Sequence, residues 1–292
     1  MRGLATWHFS WSKRMTSVSS LARPTSENRA GLFDYISPTR LNTWLTCPLK
    51  FAFRYVDGIK QPTSPNLFVG KRVHNGLQCF YQHRQDGRPV SAAEVSQHIV
   101  ETWDEAVNDE GMRFDSSDDE NALRQQTVGL VQTYLDGRES DEGFPIAVES
   151  PLECPLVDSD TGEDLGIAFF GFVDLVLEDG SGPVIVDFKT SARSSAPLDI
   201  VHEIQLSCYA YAFRQVFGQT EQELQIRSLI KTKTPKIETH RYPARNGTHF
   251  RRLFAVIRAY LDDLHSNRFV YRPGWMCSMC DFREMHCRAW QG

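Results

Sequence analysis

The sequence predicts an α/β (α+β) fold, a central mixed β-sheet flanked by helices, and three observations carry that expectation. The 292 residues are 41% hydrophobic and 24% charged, enough apolar material for a substantial core. Apolar residues recur at helical spacing before residue 140 and after residue 200, whereas the stretch between holds short apolar runs divided by Gly- and Asp-rich turns. No segment repeats at a fixed period and no run of about 18 uncharged apolar residues occurs, so neither a repeat protein nor a membrane span is expected.

Taken in order, the first thirty residues are rich in Ser and Arg, nearly free of acid, and lack the continuous apolar centre of a secretory signal. They fit a mitochondrial-type transit peptide, a tail outside the fold, or an upstream extension with Met15 as the start. Residues 1–34 are therefore set apart from a domain at 35–292. A cytoplasmic protein is expected, or an organellar one if residues 1–30 are a transit peptide. After Ser37-Pro38, the residues Leu41, Trp44, Leu45, Leu49 and Phe53 keep helical spacing, with a break at Pro48. "NLFVGKRVHNGLQCFYQHRQDG" reads as a helix closed at Gly87, and residues 88–140 as a helical insertion around an acidic, solvated loop. From Pro145 the runs "IAVESPLECPLV", "GIAFFGFVDLVLE" and "VIVDFKT", joined by turns, form an antiparallel meander. A helix, "VHEIQLSCYAYAFRQVFG", follows. Two strands in "ELQIRSLIKTK" and "KIETHRY" and a last helix in "HFRRLFAVIRAYLDDLH" complete the fold.

Charges inside the meander point to chemistry. Asp174 and Asp187 lie near the facing ends of adjacent antiparallel strands, so their carboxylates come close and require protons, a cationic partner or a divalent ion. Lys189, two residues beyond Asp187, projects from the same strand face. The triangle suits Mg2+ or Mn2+, with the lysine orienting a water. For Asp-x-Lys alone, a salt bridge on an exposed strand is the plainer reading. Residues 227–258 carry nine Lys or Arg against Glu238 alone. Arg227, Lys231, Lys233 and Lys236 head that run, which reads equally as a solvated face or as a wall tracking nucleic-acid phosphates. Trp44 and Tyr55 are candidate base-stacking surfaces. The net charge of −5 does not decide the matter, because local charge governs binding.

The seven cysteines do not suggest a secreted disulfide framework. Cys79, Cys154 and Cys208 fall within predicted helices or strands as core thiols. Cys277, Cys280 and Cys287 form C-x2-C-x6-C in the tail at 273–292, and Cys47 far upstream is a fourth thiolate. Such a set suits zinc or an iron-sulfur cluster.

Asp174 followed by Asp187-Phe188-Lys189 closely resembles the signature of the PD-(D/E)XK nuclease superfamily, and its RecB-like branch in particular. Gly70, His74 and Leu77 match that branch's upstream Gly-x-x-x-His-x-x-Leu helix. Gln205 and Tyr209 match its Gln-x-x-x-Tyr helix after the lysine strand. The resemblance implies a restriction-endonuclease-like core. It implies a DNA nuclease, an exonuclease on single strands or ends, serving repair, recombination or CRISPR-type processing. His74, Asp174, Asp187 and the Phe188 carbonyl would hold Mg2+ or Mn2+, Lys189 would position water, and Gln205 and Tyr209 would hold substrate or the lysine. Glu149 matches an acidic residue in the first strand of relatives. The cysteines resemble those of AddB-type and CRISPR-associated nucleases, which implies a 4Fe-4S cluster on Cys47, Cys277, Cys280 and Cys287 clasping the two ends of the domain, with zinc as the alternative. Val173 replaces the signature's proline. No Walker A loop is present, so the expected enzyme works on free ends and single strands or beside a separate helicase or repair partner. The alternative is a non-catalytic iron-sulfur or zinc subunit for DNA binding or assembly.

Overall fold

A computed structural model describes residues 29–139, 141–194 and 199–290. The proposed N-terminal extension lies for the most part outside them. Arg29–Leu32 form a short turn ahead of strand β1 (Tyr35–Ile36), and Leu32 is already buried in the core. Helix α1 (Pro38–Thr46) starts where the Ser37 hydroxyl accepts the Arg40 N–H at 3.2 Å and Pro38 fills the first turn. It stops at Cys47, whose backbone is extended, and Pro48 opens the four-residue helix α2 (Pro48–Phe51), which widens into a π turn at Ala52–Val56. Helix α3 (Pro65–Gln85) ends before Gly87, which takes the left-handed conformation at φ +70. Helices α4 (Ala92–Glu101), α5 (Trp103–Asp109) and α6 (Ser117–Gly137) follow, with the acidic loop between α5 and α6.

Strands β2 (Phe144–Val157), β3 (Asp164–Glu178) and β4 (Pro183–Ser191) make the expected antiparallel meander, although β2 and β3 are long. Helix α7 (Asp199–Phe217) then crosses over to β5 (Glu223–Ile230), which pairs with β4 in parallel. Strand β6 (Lys236–Pro243) returns antiparallel, and α8 (Gly247–His265) closes the core. The six-stranded mixed sheet runs β1-β3-β4-β5-β6, with β2 also on β3. Among the described residues no helix is long and apolar enough to cross a membrane.

Each sheet face has its own core. One joins Leu41, Phe213 and Phe254 from α1, α7 and α8 to Ile185; the other joins Val73, Trp103 and Leu130 from α3, α5 and α6 to Val184, Val186 and Phe188. Strand β4 thus obeys period-two alternation. Strand β3 does not. Ile167, Phe169 and Val173 face the α7 side, yet Leu175 and Leu177 face the α3 side, so the alternation reverses at Asp174. Opposite Asp174, between the pairs Val148–Leu175 and Ser150–Val173, Glu149 adopts φ +43, a conformation unfavourable for a side chain of this kind. The reversal lies at the strand pair that carries the acids.

Candidate active site

Five elements bring the sequence-predicted residues to one end of the sheet. His74 on α3 donates its Nε2–H to the Phe188 carbonyl at 3.1 Å, which leaves Nδ1 facing Glu149 Oε1 at 3.5 Å and Asp174 Oδ1 at 3.7 Å. Ligand atoms of His74, Glu149 and Asp174 all lie within 4.8 Å of one another, the one such group of His, Cys, Asp or Glu among the described residues. The second Asp174 oxygen accepts the Phe188 N–H at 2.7 Å. Asp187, with only 3% of its side chain exposed, lies 2.8 Å from the Lys189 ammonium and accepts from Gln205 Nε2 at 2.7 Å. Gln205 also donates to the Tyr209 hydroxyl at 3.3 Å, so one face of α7 holds both, as their spacing requires. Leu77 is buried, but a Cβ at Gly70 would meet nothing, so packing within the chain does not demand that glycine.

The electrostatics follow from burying so many acids together. Burial, reinforced by the Asp187 charge, pushes Asp174 up to about 7. Burial alone would push His74 down, but Glu149 and Asp174 outweigh it and hold the imidazole above its ordinary value. Lys189 follows the same pattern, with burial opposed and overcome by Asp187 and Asp174. Two carboxylates with one histidine between them make a donor set suited to a divalent cation with oxygen and imidazole ligands. The Phe188 carbonyl, expected as a ligand, orients the imidazole in this arrangement.

The basic run does not form a continuous wall. Arg227 is buried, with its guanidinium 2.8 Å from Glu142 Oε2 and 2.6 Å from the Tyr134 hydroxyl, so its assignment to nucleic-acid binding is corrected. Arg245 is buried too, while Arg241, Arg251, Arg252 and Arg258 pair with carboxylates. Lys231 and Lys233 sit in the β5–β6 turn at the same sheet end as Lys189, and Lys231 donates to Asn66 Oδ1 at 2.8 Å; Lys236 is exposed at the start of β6. Trp44 is buried edge-on against Tyr260 and donates to Asp263, so it offers no stacking surface, and Tyr55 packs on Phe51.

The structure does bring together the four cysteines set apart above. Cys47, Cys277, Cys280 and Cys287 line one cavity of about 280 Å³ at the α1–α2 break. Phe282 from the tail packs there on Leu49 and Phe53. No three of these sulfur atoms lie within 4.8 Å of one another. Cys154 and Cys208 are buried core thiols, and burial pushes Cys154 up to about 12.

A family model described as the PD-(D/E)XK nuclease superfamily matches residues 35–288. Among solved structures, a protein of Eubacterium rectale provisionally named an exonuclease is similar in fold, at TM-score 0.58 and 15% identity over 94% of this chain and 96% of that one. The structure of SSO0001 is 14% identical over 87% of this chain and 94% of that one, at TM-score 0.35, too distant in shape to support an argument. No curated protein matches. With nearly its whole described length matched, the chain belongs to the PD-(D/E)XK nuclease superfamily.

Proposed function

We propose that this superfamily member is a metal-dependent deoxyribonuclease of the RecB-like kind, acting as an exonuclease on single strands or DNA ends. The observation that carries the reading is the convergence of Glu149, Asp174 and Asp187 with Lys189 at one sheet end, where like charges this close, Asp187 buried and the other two partly so, are costly unless a cation answers them. His74, Glu149, Asp174 and Asp187 would hold Mg2+ or Mn2+. Bound there, the ion supplies Lewis acidity for water activation and neutralises charge on the scissile phosphate. Lys189, anchored by Asp187, positions the attacking water and meets negative charge developing on the phosphate. Gln205 fixes the free rotation of Asp187, and Tyr209 fixes Gln205. Lys231, Lys233 and Lys236 supply outer phosphate contacts. The exonuclease assignment draws on the name of the Eubacterium rectale relative.

The four cysteines would hold a 4Fe-4S cluster as a structural clasp. Zinc, held by the same four thiolates, is the alternative occupant. Incubating the purified chain with end-labelled single- and double-stranded DNA, with Mn2+ or with EDTA, tests the activity. Shortening of labelled strands in Mn2+ only is expected. Intact DNA in every lane overturns the reading in favour of a non-catalytic subunit.

A further inference from the structure

A groove of about 270 Å³ runs away from Lys189 and Gln205 along α1. Its floor is Thr39, Asn42 and Thr46 of α1, and beyond the extended Cys47 the chain re-enters helix so that Lys50 of α2 joins the same groove. Met276, from the cysteine-bearing tail, also lines it. No carboxylate lines it. We propose that this groove is a subsite for a single nucleic-acid strand leaving the reacting phosphate, with Lys50 as its backbone phosphate contact; the inference rests on the nuclease reading above and names the path its substrate takes.

Hydrogen-bond accounting supports the assignment. The Thr46 hydroxyl donates to the Asn42 carbonyl at 2.7 Å, and the Thr43 hydroxyl to the Thr39 carbonyl at 2.7 Å, so both protons are committed within the helix. The donors left open are the Thr39 hydroxyl, the Asn42 amide and the Lys50 ammonium, for which no ion pair or side-chain hydrogen bond occurs among the described residues. An ammonium without an acid, at one end of an acid-free groove whose other end is the Asp187-bound lysine, suits a chain of phosphodiesters. Thr46, Lys50 and Met276 also line the cysteine cavity, so the tail that carries three of the thiols contributes to the groove through Met276.

The test uses the full chain, a fluorescently labelled single-stranded oligodeoxynucleotide, and the variants Lys50→Ala, Lys50→Arg and Asn42→Ala. Binding is read by anisotropy in EDTA across a salt series, and cleavage by steady-state kinetics in Mn2+. Loss of one phosphate contact weakens binding by about tenfold and lowers the slope of log affinity against log salt by about one. Lys50→Ala is therefore expected to raise KM about tenfold with a smaller change in kcat and to flatten the salt slope. Lys50→Arg should restore the slope, which a merely structural role for Lys50 would not move. Blunt duplex should compete poorly with the single strand. Unchanged KM and salt slope in Lys50→Ala, or duplex competing as well as single strand, overturns the groove while an active wild type keeps the nuclease reading. A wild type that neither binds nor cleaves DNA removes both.

Discussion

Asp174 has one oxygen on the Phe188 N–H and the other turned toward His74, in surroundings that favour its proton. In the folded chain it keeps that proton up to about 7, whereas in the unfolded chain it loses it in the ordinary carboxylate range. Proton binding thus favours the folded state between those values. The stability this group contributes is present in full at lower pH and is lost as pH rises through about 7. Asp174→Asn, neutral at every pH and still able to accept the Phe188 N–H, should melt a few degrees above wild type at pH 8 in EDTA, and the two should converge near pH 4. A variant that melts below wild type at pH 8 would show that the carboxylate is not held at a cost. Asp174, Asp187 and Lys189 were legible in the sequence because charges interrupt apolar strands and a spacing of two shares a face. Arg227 was misread, since nothing in a run of basic residues reveals that Glu142, eighty-five positions upstream, sits against one of them.

At the scale of elements, Phe188 links the site to a buried polar network. Its ring stacks on Tyr81 at 6.1 Å and meets Tyr134 edge-on at 5.4 Å, while its carbonyl holds His74. The two tyrosine hydroxyls, 2.6 Å apart, join Arg227 and Glu142, and Arg84 donates to Glu142 Oε1 at 3.0 Å. Glu142→Ala would leave the Arg227 guanidinium buried without its counter-charge, at a cost of about 3–5 kcal/mol, and Glu142→Gln should lose less. Urea denaturation measures both; a Glu142→Ala curve that overlays wild type would mean that the network is not stabilising. The helices, the meander and the Gly87 and Gly218 stops follow from periodicity and turn chemistry, and were legible. Periodicity says nothing about strand direction. That β5 lies parallel to β4 follows from the α7 crossover, and the alternation change at Asp174 from a backbone conformation at Glu149 that no local pattern announces.

Across the whole molecule, the cysteine cavity ties the first helices to the last residues, around a chain segment of about 230 residues. In the simple entropy model a cross-link of that span restricts the unfolded chain by about 5 kcal/mol. The exposed side chains of Trp275, Met279 and Met285 show how little apolar packing the tail has of its own. Anaerobically purified wild type should contain iron and sulfide, and Cys47→Ala should lose both together with much thermal stability. Stoichiometric zinc without iron would replace the cluster with a zinc clasp. The spacing of the thiols in sequence left zinc and iron-sulfur open; what the fold adds is that Cys47 lines the same cavity as the three tail cysteines.

The central claim is that the acids and lysine at the end of β4 hydrolyse DNA. The most direct measurement is cleavage of end-labelled single-stranded DNA in Mn2+ by wild type and by Lys189→Ala and Asp187→Ala, each checked for a cooperative melt. The expected result is metal-dependent shortening by wild type and loss of cleavage by at least about a hundredfold in both folded variants. A folded Lys189→Ala or Asp187→Ala that cleaves at close to the wild-type rate would contradict the assignment of the site.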